Sequence, residues 1–365
     1  MATTVGDLLA QHPVNPIHDT RFHTGSNKPW TKIYPPITKI IVRTRVQTVN
    51  GQQAVVANFD PAFLGEYHDD ALRLNEPVYP PNYRHWRLQS EEDGVLWFHT
   101  EISNVVLAAW SRYPDLLQVS HEKPLSETAS ESQVVDIAYS IRREGGMRVQ
   151  IAIGEFKRGL IESDSWQRGK LSKPQLAFSQ ELRGYADKYH CPLVFAFDHS
   201  TFLMLQFRAS KPSKIRDADC EVDCWVLPRE NPGGTTLRYA LYRLLVQGLR
   251  RCQGLHPTDD TLYGQHPHDR EFYNGRPVWK INDRFYIKPW GYSRQVDPNY
   301  GAFYWVEADG TTPLVDNNGN KIWDTLAFWQ PEPAPAGLEA MQTTDQYEVT
   351  DEDAVGEVEE DIYGL

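Results

Sequence analysis

Three charged residues lie close together in a stretch of sequence that otherwise predicts a β-hairpin. The stretch VVDIAYSIRREGGMRVQIAIGEFKRG has two apolar segments about Gly145-Gly146. With a two-residue turn there, facing residues have numbers that sum to 291, so Asp136 is predicted to oppose Glu155, provided that no bulge shifts the register. Lys157 follows two positions later and faces the same way, because side chains alternate along a strand.

Two facing carboxylates repel each other unless something neutralises them. The residues before Glu155 are apolar (VQIAIG), which predicts partial burial of its side chain. A divalent cation would neutralise both carboxylates, and carboxylate oxygens are the ligands that Mg²⁺ prefers. We therefore expect Mg²⁺ or Mn²⁺ on Asp136 and Glu155, with Lys157 positioning a nucleophile or stabilising charge on a phosphate. The alternative is a surface hairpin whose charges are simply solvated.

The segments on either side of the hairpin predict alternating helices and strands. Ser90 and Asp93 form a capping-box pattern before a helix, and Ser172 with Gln175 repeats that pattern before a second helix. The segment PLVFAFDHSTFLMLQFR, which follows the second helix, predicts two further strands. Apolar residues recur at helical spacing in the first helix and in a third helix near position 240: Val95, Phe98, Ile102, Val105 and Ala109, then Leu237, Leu241, Leu244, Leu245 and Leu249.

This order of elements resembles the PD-(D/E)XK nuclease superfamily. An acid-bearing helix precedes Val135-Asp136 on one strand and Glu155-Phe156-Lys157 on the next, and a helix and a strand follow. The resemblance covers roughly residues 90–208, with a valine where the motif has proline. It implies an α/β fold with a restriction-endonuclease-like core, a central mixed sheet flanked by helices, and β-rich N- and C-terminal additions.

The same resemblance implies two further site residues. Glu101 matches the acid on the first helix, which would join Asp136 and Glu155 at the metal. Gln180, with Tyr185 in the segment QELRGYA, matches an auxiliary glutamine and aromatic residue on the helix after Glu-x-Lys. The superfamily also contains members without activity, so the resemblance alone does not establish cleavage.

Basic residues cluster around the predicted site. Residues 142–173 have a net charge of +4. We expect four of these residues to contact phosphates, although solvated loop charges would give the same pattern. Trp166 in this stretch would either stack on a base or fill the core. The predicted phosphate contacts are Arg158, Arg168, Lys170 and Lys173.

The overall charge does not argue against a nucleic-acid partner. The net charge of the 365-residue chain is −12, but 11 acidic residues and no Lys or Arg lie in residues 332–365, so the remainder is near −1. Four cysteines are too few for a disulfide scaffold, and Cys220 and Cys224 lack the second pair that a structural zinc site needs. No apolar run is long enough to cross a bilayer, and no secretory signal is visible. We expect an intracellular protein, nuclear or cytoplasmic, with nucleic acid as partner, no membrane association, and a homodimer as one assembly to test.

Composition divides the chain into five regions, the last of which has little to bury. The leading hypothesis is a metal-dependent nuclease that hydrolyses phosphodiester bonds. The alternatives are an inactive nuclease-fold protein that binds nucleic acid or protein, and an effector or scaffold acting through its aromatic C-terminal region. The regions are an irregular arm (1–30), a β-rich lead-in (31–89), a nuclease-like domain (90–252), an aromatic β-rich region (262–330) and an acidic tail (331–365).

Overall fold

A computed structural model describes the chain between residues 3 and 319, with gaps. The predicted acidic tail at 331–365 lies outside the described residues, and so does the hairpin turn at Gly145-Gly146. The gaps are 20–24, 26–27, 64–69, 71–72, 112–115, 125–132, 143–147, 210–211, 255–269, 274–275, 282–283, 287–292, 297–302, 308 and 316–318.

The described residues form strands and helices in mixed order. The strands are β1 (Thr3–Thr4), β2 (Ile17–Asp19), β3 (Ile40–Val42), β4 (Thr44–Val49), β5 (Gln52–Ala57), β6 (Pro77–Val78), β7 (Trp86–Leu88), β8 (Leu116–Glu122), β9 (Val135–Arg142), β10 (Arg148–Phe156), β11 (Leu193–Phe197), β12 (Thr201–Phe207), β13 (Val222–Pro228), β14 (Arg270–Tyr273), β15 (Arg276–Ile281), β16 (Arg284–Tyr286), β17 (Ser293–Val296) and β18 (Phe303–Val306). The α-helices are α1 (Val5–Leu9), α2 (Glu91–Phe98), α3 (Asn104–Leu107), α4 (Ser163–Gln167), α5 (Lys173–Lys188) and α6 (Leu237–Gly254).

A seven-stranded mixed sheet forms the centre of the fold. Its strand order is β3-β13-β12-β11-β10-β9-β8. The β10–β11 and β13–β3 pairs are parallel, and the other neighbours are antiparallel. The predicted α/β class is therefore confirmed as a mixed sheet with helices. Because β10 and β11 run parallel, their carboxyl ends lie at the same edge of the sheet, which is the edge that carries Glu155.

The central strands are buried because their sequences are almost continuously apolar. Every residue of β11 and β12 is buried, as is the leucine stripe predicted for α6. A Cβ atom at Gly248 of α6 would lie 2.2 Å from the carbonyl oxygen of Ile151, so glycine allows this helix to pack directly onto β10. The core is thus built around the strand that presents Glu155.

Helix α2 begins as the sequence predicts but changes its geometry before Glu101. The Ser90 hydroxyl accepts from the Asp93 amide, and the Asp93 carboxylate accepts from the Ser90 amide, which confirms the capping box. A π-helical turn, His99–Ser103, then separates α2 from α3. Such a turn adds a residue to one helical turn and rotates every side chain that follows it.

The second predicted capping box does not form. Ser172 is the N-cap of α5, but its side chain makes no capping hydrogen bond. Gln175 instead accepts from the indole of Trp166 at 2.7 Å and donates to the Leu160 carbonyl at 2.8 Å. Gln175 is fully buried, so its amide is used to satisfy the buried tryptophan rather than the helix end.

The N-terminal regions contain more regular structure than an irregular arm would. Thr4 caps α1 with a capping box, and three residues of α1 enter the core: Val5, Leu8 and Leu9. Strands β4 and β5 form the predicted hairpin, with Asn50 and Gly51 both at positive φ as a tight turn requires.

The described part of the C-terminal region and the cysteines agree with the sequence-based expectations. The described part of 270–319 contains short antiparallel pairs, as predicted. Cys191, Cys220 and Cys224 are buried and retain their thiols. Among the helices of the described residues, none combines the length and apolar character needed to cross a bilayer.

Candidate metal and catalytic site

The β9–β10 hairpin brings the two predicted carboxylates together. Gly154 pairs with Ile137, and Ile153 with Ala138, so facing residues sum to 291 at this end of the hairpin. The next step along that register places Asp136 opposite Glu155. The Phe156 amide donates to Asp136 Oδ2 at 2.6 Å, which ties the Asp136 side chain to the partner strand.

The register that the sequence predicts holds only beyond a bulge. Towards the turn, Gln150 pairs with Ser140, and the register shifts between Gln150 and Ala152. One extra residue therefore lies on β10, which increases the local twist of the hairpin. The numbers sum to 290 near the turn and to 291 near the acids. The predicted opposition of the carboxylates is thus obtained with a bulge that the prediction did not include.

Lys157 completes the predicted trio. Its ammonium group donates to Glu155 Oε1, and it lies 3.6 Å from Glu181 Oε1. Glu155 and Lys157 are almost wholly buried, whereas Asp136 is half-buried. A buried Glu–Lys pair is stable only when it is closely paired and hydrogen-bonded, as it is here.

Helix α5 adds a carboxylate and a phenol to the cluster. Glu181 and Tyr185 are one helical turn apart, so they share a face of α5. The Tyr185 hydroxyl lies 3.3 Å from Glu181 Oε1 and 3.4 Å from Glu155 Oε1. Gln180, the residue that the resemblance singled out, points to different partners: its amide donates to the Tyr34 carbonyl at 2.7 Å.

A second lysine reaches the site from the N-terminal region. Lys28 Nζ lies 3.0 Å from Glu155 Oε1 and 2.8 Å from Glu181 Oε1, and it donates to the Tyr185 hydroxyl at 2.5 Å. It also lies 5.1 Å from the centre of the Tyr185 ring. Lys28 immediately precedes a 3₁₀ helix, Pro29–Ile33, that packs against α5.

Glycine at position 184 permits this approach. The Trp30 ring meets the Tyr185 ring edge to face, with centroids 5.2 Å apart. A Cβ atom at Gly184 would lie 2.5 Å from the Trp30 ring and 3.0 Å from the Tyr34 ring. A side chain at this position would push both aromatic residues away from α5, and Lys28 with them.

Glu91, at the start of the first helix, is electrostatically coupled to the cluster. Burial raises the pKa of Glu91, Lys157 lowers it and Asp136 raises it, which places the Glu91 carboxylate within the field of the site. Glu91 is the first residue of α2, where an acid is favoured by the helix dipole.

Glu101 belongs to a separate buried network. Its Oε1 accepts from Asn15 at 2.7 Å and from the Trp86 indole at 2.8 Å, and its Oε2 lies 3.9 Å from the Arg238 guanidinium. Its described contacts therefore do not join it to Asp136 or Glu155, and the metal role that the resemblance implied for Glu101 gains no support from its position. Its contacts fasten α6 and the N-terminal region to the π-helical turn.

Burial and like charges perturb the protonation of the cluster. Burial raises the pKa of Glu155 to about 8, and the carboxylates of Asp136 and Glu181 act in the same direction, against Lys157. Burial likewise raises the pKa of Asp136. Burial alone would lower the pKa of Lys157, but Glu155 and Glu181 outweigh it and the pKa is raised. Lys157 therefore stays an ammonium ion at neutral pH.

The cluster has more acids than bases. Two ammonium groups, on Lys28 and Lys157, face the carboxyl groups of Asp136, Glu155, Glu181 and Glu91. Both ammonium groups contact Oε1 of Glu155. Oε2 of Glu155 is buried and has no hydrogen-bond partner among the described residues, which is a costly state for a carboxyl oxygen. A cation at Oε2 would remove that cost.

These residues fit a hard divalent cation held by few protein ligands. The described residues contain no group of three or more His, Cys, Asp or Glu side chains arranged to hold a metal ion. Asp136 and Glu155 would thus be two carboxylate ligands, with water or phosphate in the other positions. Mg²⁺ commonly binds in this way, because it gives up its water reluctantly.

The predicted phosphate contacts differ in their exposure. Arg158 is buried and donates to the Gln89 carbonyl, which removes it from the surface. Arg168, Lys170 and Lys173 are exposed, as contact with a phosphate backbone requires. Trp166 is fully buried, so it belongs to the core and does not stack on a base.

Comparisons with known proteins add no relative to this picture. Models of protein families, curated proteins and solved structures were compared with the chain, and none matches it. The geometry of the site and the resemblance in its motif are therefore the two indications of function.

Proposed function

We propose that this protein is a metal-dependent nuclease that hydrolyses phosphodiester bonds in nucleic acid. The observation that carries the proposal is the buried Oε2 of Glu155, which has no hydrogen-bond partner in the described part of the chain and lies on a strand directly beside the one that presents Asp136. Together with Lys157, these residues reproduce the motif by which the chain resembles the PD-(D/E)XK superfamily. On this proposal the mixed sheet is a restriction-endonuclease-like core.

The residues of the chain have distinct roles in this reaction. Asp136 and Glu155 would hold Mg²⁺ or Mn²⁺, which when bound polarises the phosphate and lowers the pKa of water. Lys157 is charged and buried, so it stabilises negative charge that develops on the phosphate or orients the attacking water. The Tyr185 hydroxyl donates hydrogen bonds that keep Glu155 and Glu181 in place, and burial raises its pKa so that it remains protonated.

A cleavage assay tests the proposal. Wild type and Lys157→Ala are incubated with single- and double-stranded DNA and RNA, in Mg²⁺, Mn²⁺ or chelator, with Lys214→Ala as a matched exposed control. We expect cleavage only with a divalent cation, a loss of at least about 100-fold in Lys157→Ala, and no loss in the control. Degradation that persists in chelator and is unchanged by Lys157→Ala would contradict the mechanism.

The second candidate is a nuclease-fold protein without activity that binds nucleic acid or protein. One observation favours it: Glu155 Oε1 already contacts both Lys28 and Lys157, so much of the negative charge is neutralised by the chain itself. The two candidates differ in their need for metal. Binding of a divalent cation that Asp136→Ala abolishes supports the nuclease, and unchanged nucleic-acid binding with no metal binding supports the alternative.

A further inference from the structure

An exposed, basic and aromatic segment leads directly to the candidate site. Residues 77–90 contain two arginines, a histidine and three aromatic residues, and no acid. Tyr79 is 90% exposed and Tyr83 is 74% exposed. We name this the connector surface and define it as Tyr79, Tyr83, Arg84, His85 and Arg87, all of which are exposed.

The exposed tyrosine rings of the connector surface contribute little to the packing of the fold. A tyrosine normally gains stability by burying its ring, and rings this exposed gain very little. Tyr83 contacts only the similarly exposed His85 among its described partners, with ring centroids 5.5 Å apart and a hydroxyl–Nε2 distance of 2.9 Å. The adjacent Trp86 is half-buried and packed, with its indole bonded to Glu101. Exposed rings beside a packed one indicate a surface that is kept free for a partner.

The connector surface is held next to the reacting groups. Strand β7 pairs with β2, and its last residues lead to Gln89, whose carbonyl accepts from Arg158. Glu91 follows two positions later, within the field of Asp136 and Lys157. Arg87 and Glu91 are only four positions apart, which limits that span to about 14 Å of chain. A polymer lying on the connector surface would therefore extend to the site.

The chemistry of the surface selects one class of polymer. Arginine and histidine side chains attract phosphates, and tyrosine rings stack on bases whose faces are exposed. The bases of a duplex are stacked on one another and offer no free face, whereas those of a single strand do. The Arg84 guanidinium carbon lies 5.3 Å from the centre of the Trp86 ring, within the range of a cation–π contact.

We propose that the connector surface binds single-stranded nucleic acid and delivers it to the Asp136–Glu155–Lys157 site. This inference rests on the proposed function, because it makes single-stranded nucleic acid the substrate that the site would cleave. Tyr79 and Tyr83 stack on bases, and Arg84 and Arg87 contact the backbone phosphates. A protein partner would also use exposed tyrosine and arginine, but the two arginines and the absence of acids in residues 77–90 favour a polyanion.

The test is a binding measurement in chelator, where metal-dependent cleavage cannot occur. Fluorescence anisotropy of labelled 20-nucleotide dT and rU, and of a 20-base-pair duplex, is measured with full-length wild type and variants. We expect Tyr79→Ala and Tyr83→Ala each to weaken single-strand binding about 5- to 100-fold, because each base–aromatic stack contributes in that range. Tyr79→Phe keeps the ring and should bind like wild type.

The two arginines of the connector surface are tested by the salt dependence of binding. Arg84→Ala and Arg87→Ala should each reduce the steepness of the plot of log affinity against log salt concentration by about 0.7. This is the value for one phosphate contact on a single strand. Lys214→Ala and Val46→Ala, exposed positions elsewhere, are the controls and should not change binding.

Two results would overturn the inference. If Tyr79→Ala and Tyr83→Ala bind single strands as tightly as wild type, the connector surface is not a nucleic-acid site. A protein partner would then explain its exposed side chains. If the tyrosine variants lose the same affinity for duplex as for single strands, the surface does not select single strands. These failures differ from failure of the proposed function, in which the chain would bind single strands through the connector surface but would not cleave them with Mg²⁺ or Mn²⁺.

Discussion

Lys28 Nζ lies 3.0 Å from Glu155 Oε1, although 127 positions separate the two residues in the chain. The lysine comes from a region outside the motif that the sequence predicts. Its ammonium group and that of Lys157 contact the same carboxylate oxygen, which leaves Oε2 for another cation. The N-terminal region therefore determines how much negative charge the site presents.

Replacing Lys28 should increase the affinity of the site for divalent cations. Lys28→Met keeps the aliphatic stem but removes a positive charge that repels a cation bound at Glu155. Because the Lys28 side chain is 32% exposed, we expect the metal-free protein to lose only about 1 kcal/mol of unfolding free energy. The measurement is thermal unfolding as a function of Mg²⁺ concentration, with Lys32→Met as a control from the same segment. Weaker Mg²⁺ binding in Lys28→Met would show that Lys28 assists the metal instead of competing with it.

Gly184→Ala should disturb the site without touching any of its charges. The added methyl group would meet the Trp30 ring at 2.5 Å, so the segment that carries Lys28 must move. We expect a loss of about 1–3 kcal/mol in unfolding free energy, despite the better helix propensity of alanine. The check is a double-mutant cycle with Trp30→Ala, which removes the clashing ring. Equal costs of Gly184→Ala with and without Trp30 would show that the clash is not the cause.

The raised pKa of Glu155 predicts a stability that falls as pH rises. The folded state holds this proton up to about pH 8, whereas the unfolded state releases it near pH 4.5. The contribution of Glu155 is therefore complete below pH 4.5 and is lost as pH rises to about 8. Burial lowers the pKa of His12, His99 and His199, which acts in the opposite direction below the ordinary histidine value of 6.5.

The contribution of Glu155 can be isolated by comparing wild type with Glu155→Gln. The stability of wild type relative to this variant should fall progressively between pH 5 and pH 8 in chelator, as chemical denaturation at each pH would measure. Saturating Mg²⁺ should reduce or reverse the trend, because the metal binds the deprotonated carboxylate. A difference between the two proteins that is constant with pH would contradict the raised pKa.

Glu91 and Glu101 should respond in opposite ways to the same substitution. Glu101→Gln leaves the buried Arg238 without its charged partner, so we expect a loss of about 2 kcal/mol in stability and little change in metal binding. Glu91→Gln removes a half-buried acid beside Asp136 and Lys157, so metal binding and cleavage should change more than stability. Unfolding and Mg²⁺ titration of both variants provide the check. A Glu101→Gln variant that folds normally but loses metal would restore the role that the motif implied.

Local patterns in the sequence predicted the hairpin, the capping box of α2 and the α6 stripe, because each depends on neighbours in the chain. The same holds for the meeting of Asp136, Glu155 and Lys157, although a bulge contributes to it. The contact of Lys28 with Glu155 could not be predicted, because no sequence pattern in residues 1–30 connects Lys28 to a residue 127 positions away.

Two acids of the first helix depend on details that local sequence patterns do not carry. Nothing in the sequence distinguishes Glu91 from the other acids in the first turn of its helix, where acids are common. Glu101 was assigned on a regular helix, but it lies in a π-helical turn that regular spacing does not describe. The only signal for Glu181 was its spacing of four residues from Tyr185, which is equally common in structural helices.

The most direct measurement of the central claim is calorimetric titration of Mn²⁺ and Mg²⁺ into the full-length chain at pH 8. The account predicts saturable binding with release of protons in wild type, and loss of that binding in both Asp136→Asn and Glu155→Gln. Lys170→Ala, an exposed change in the basic loop, should bind like wild type. An absence of binding in wild type, or binding that survives both carboxylate substitutions, would contradict the account.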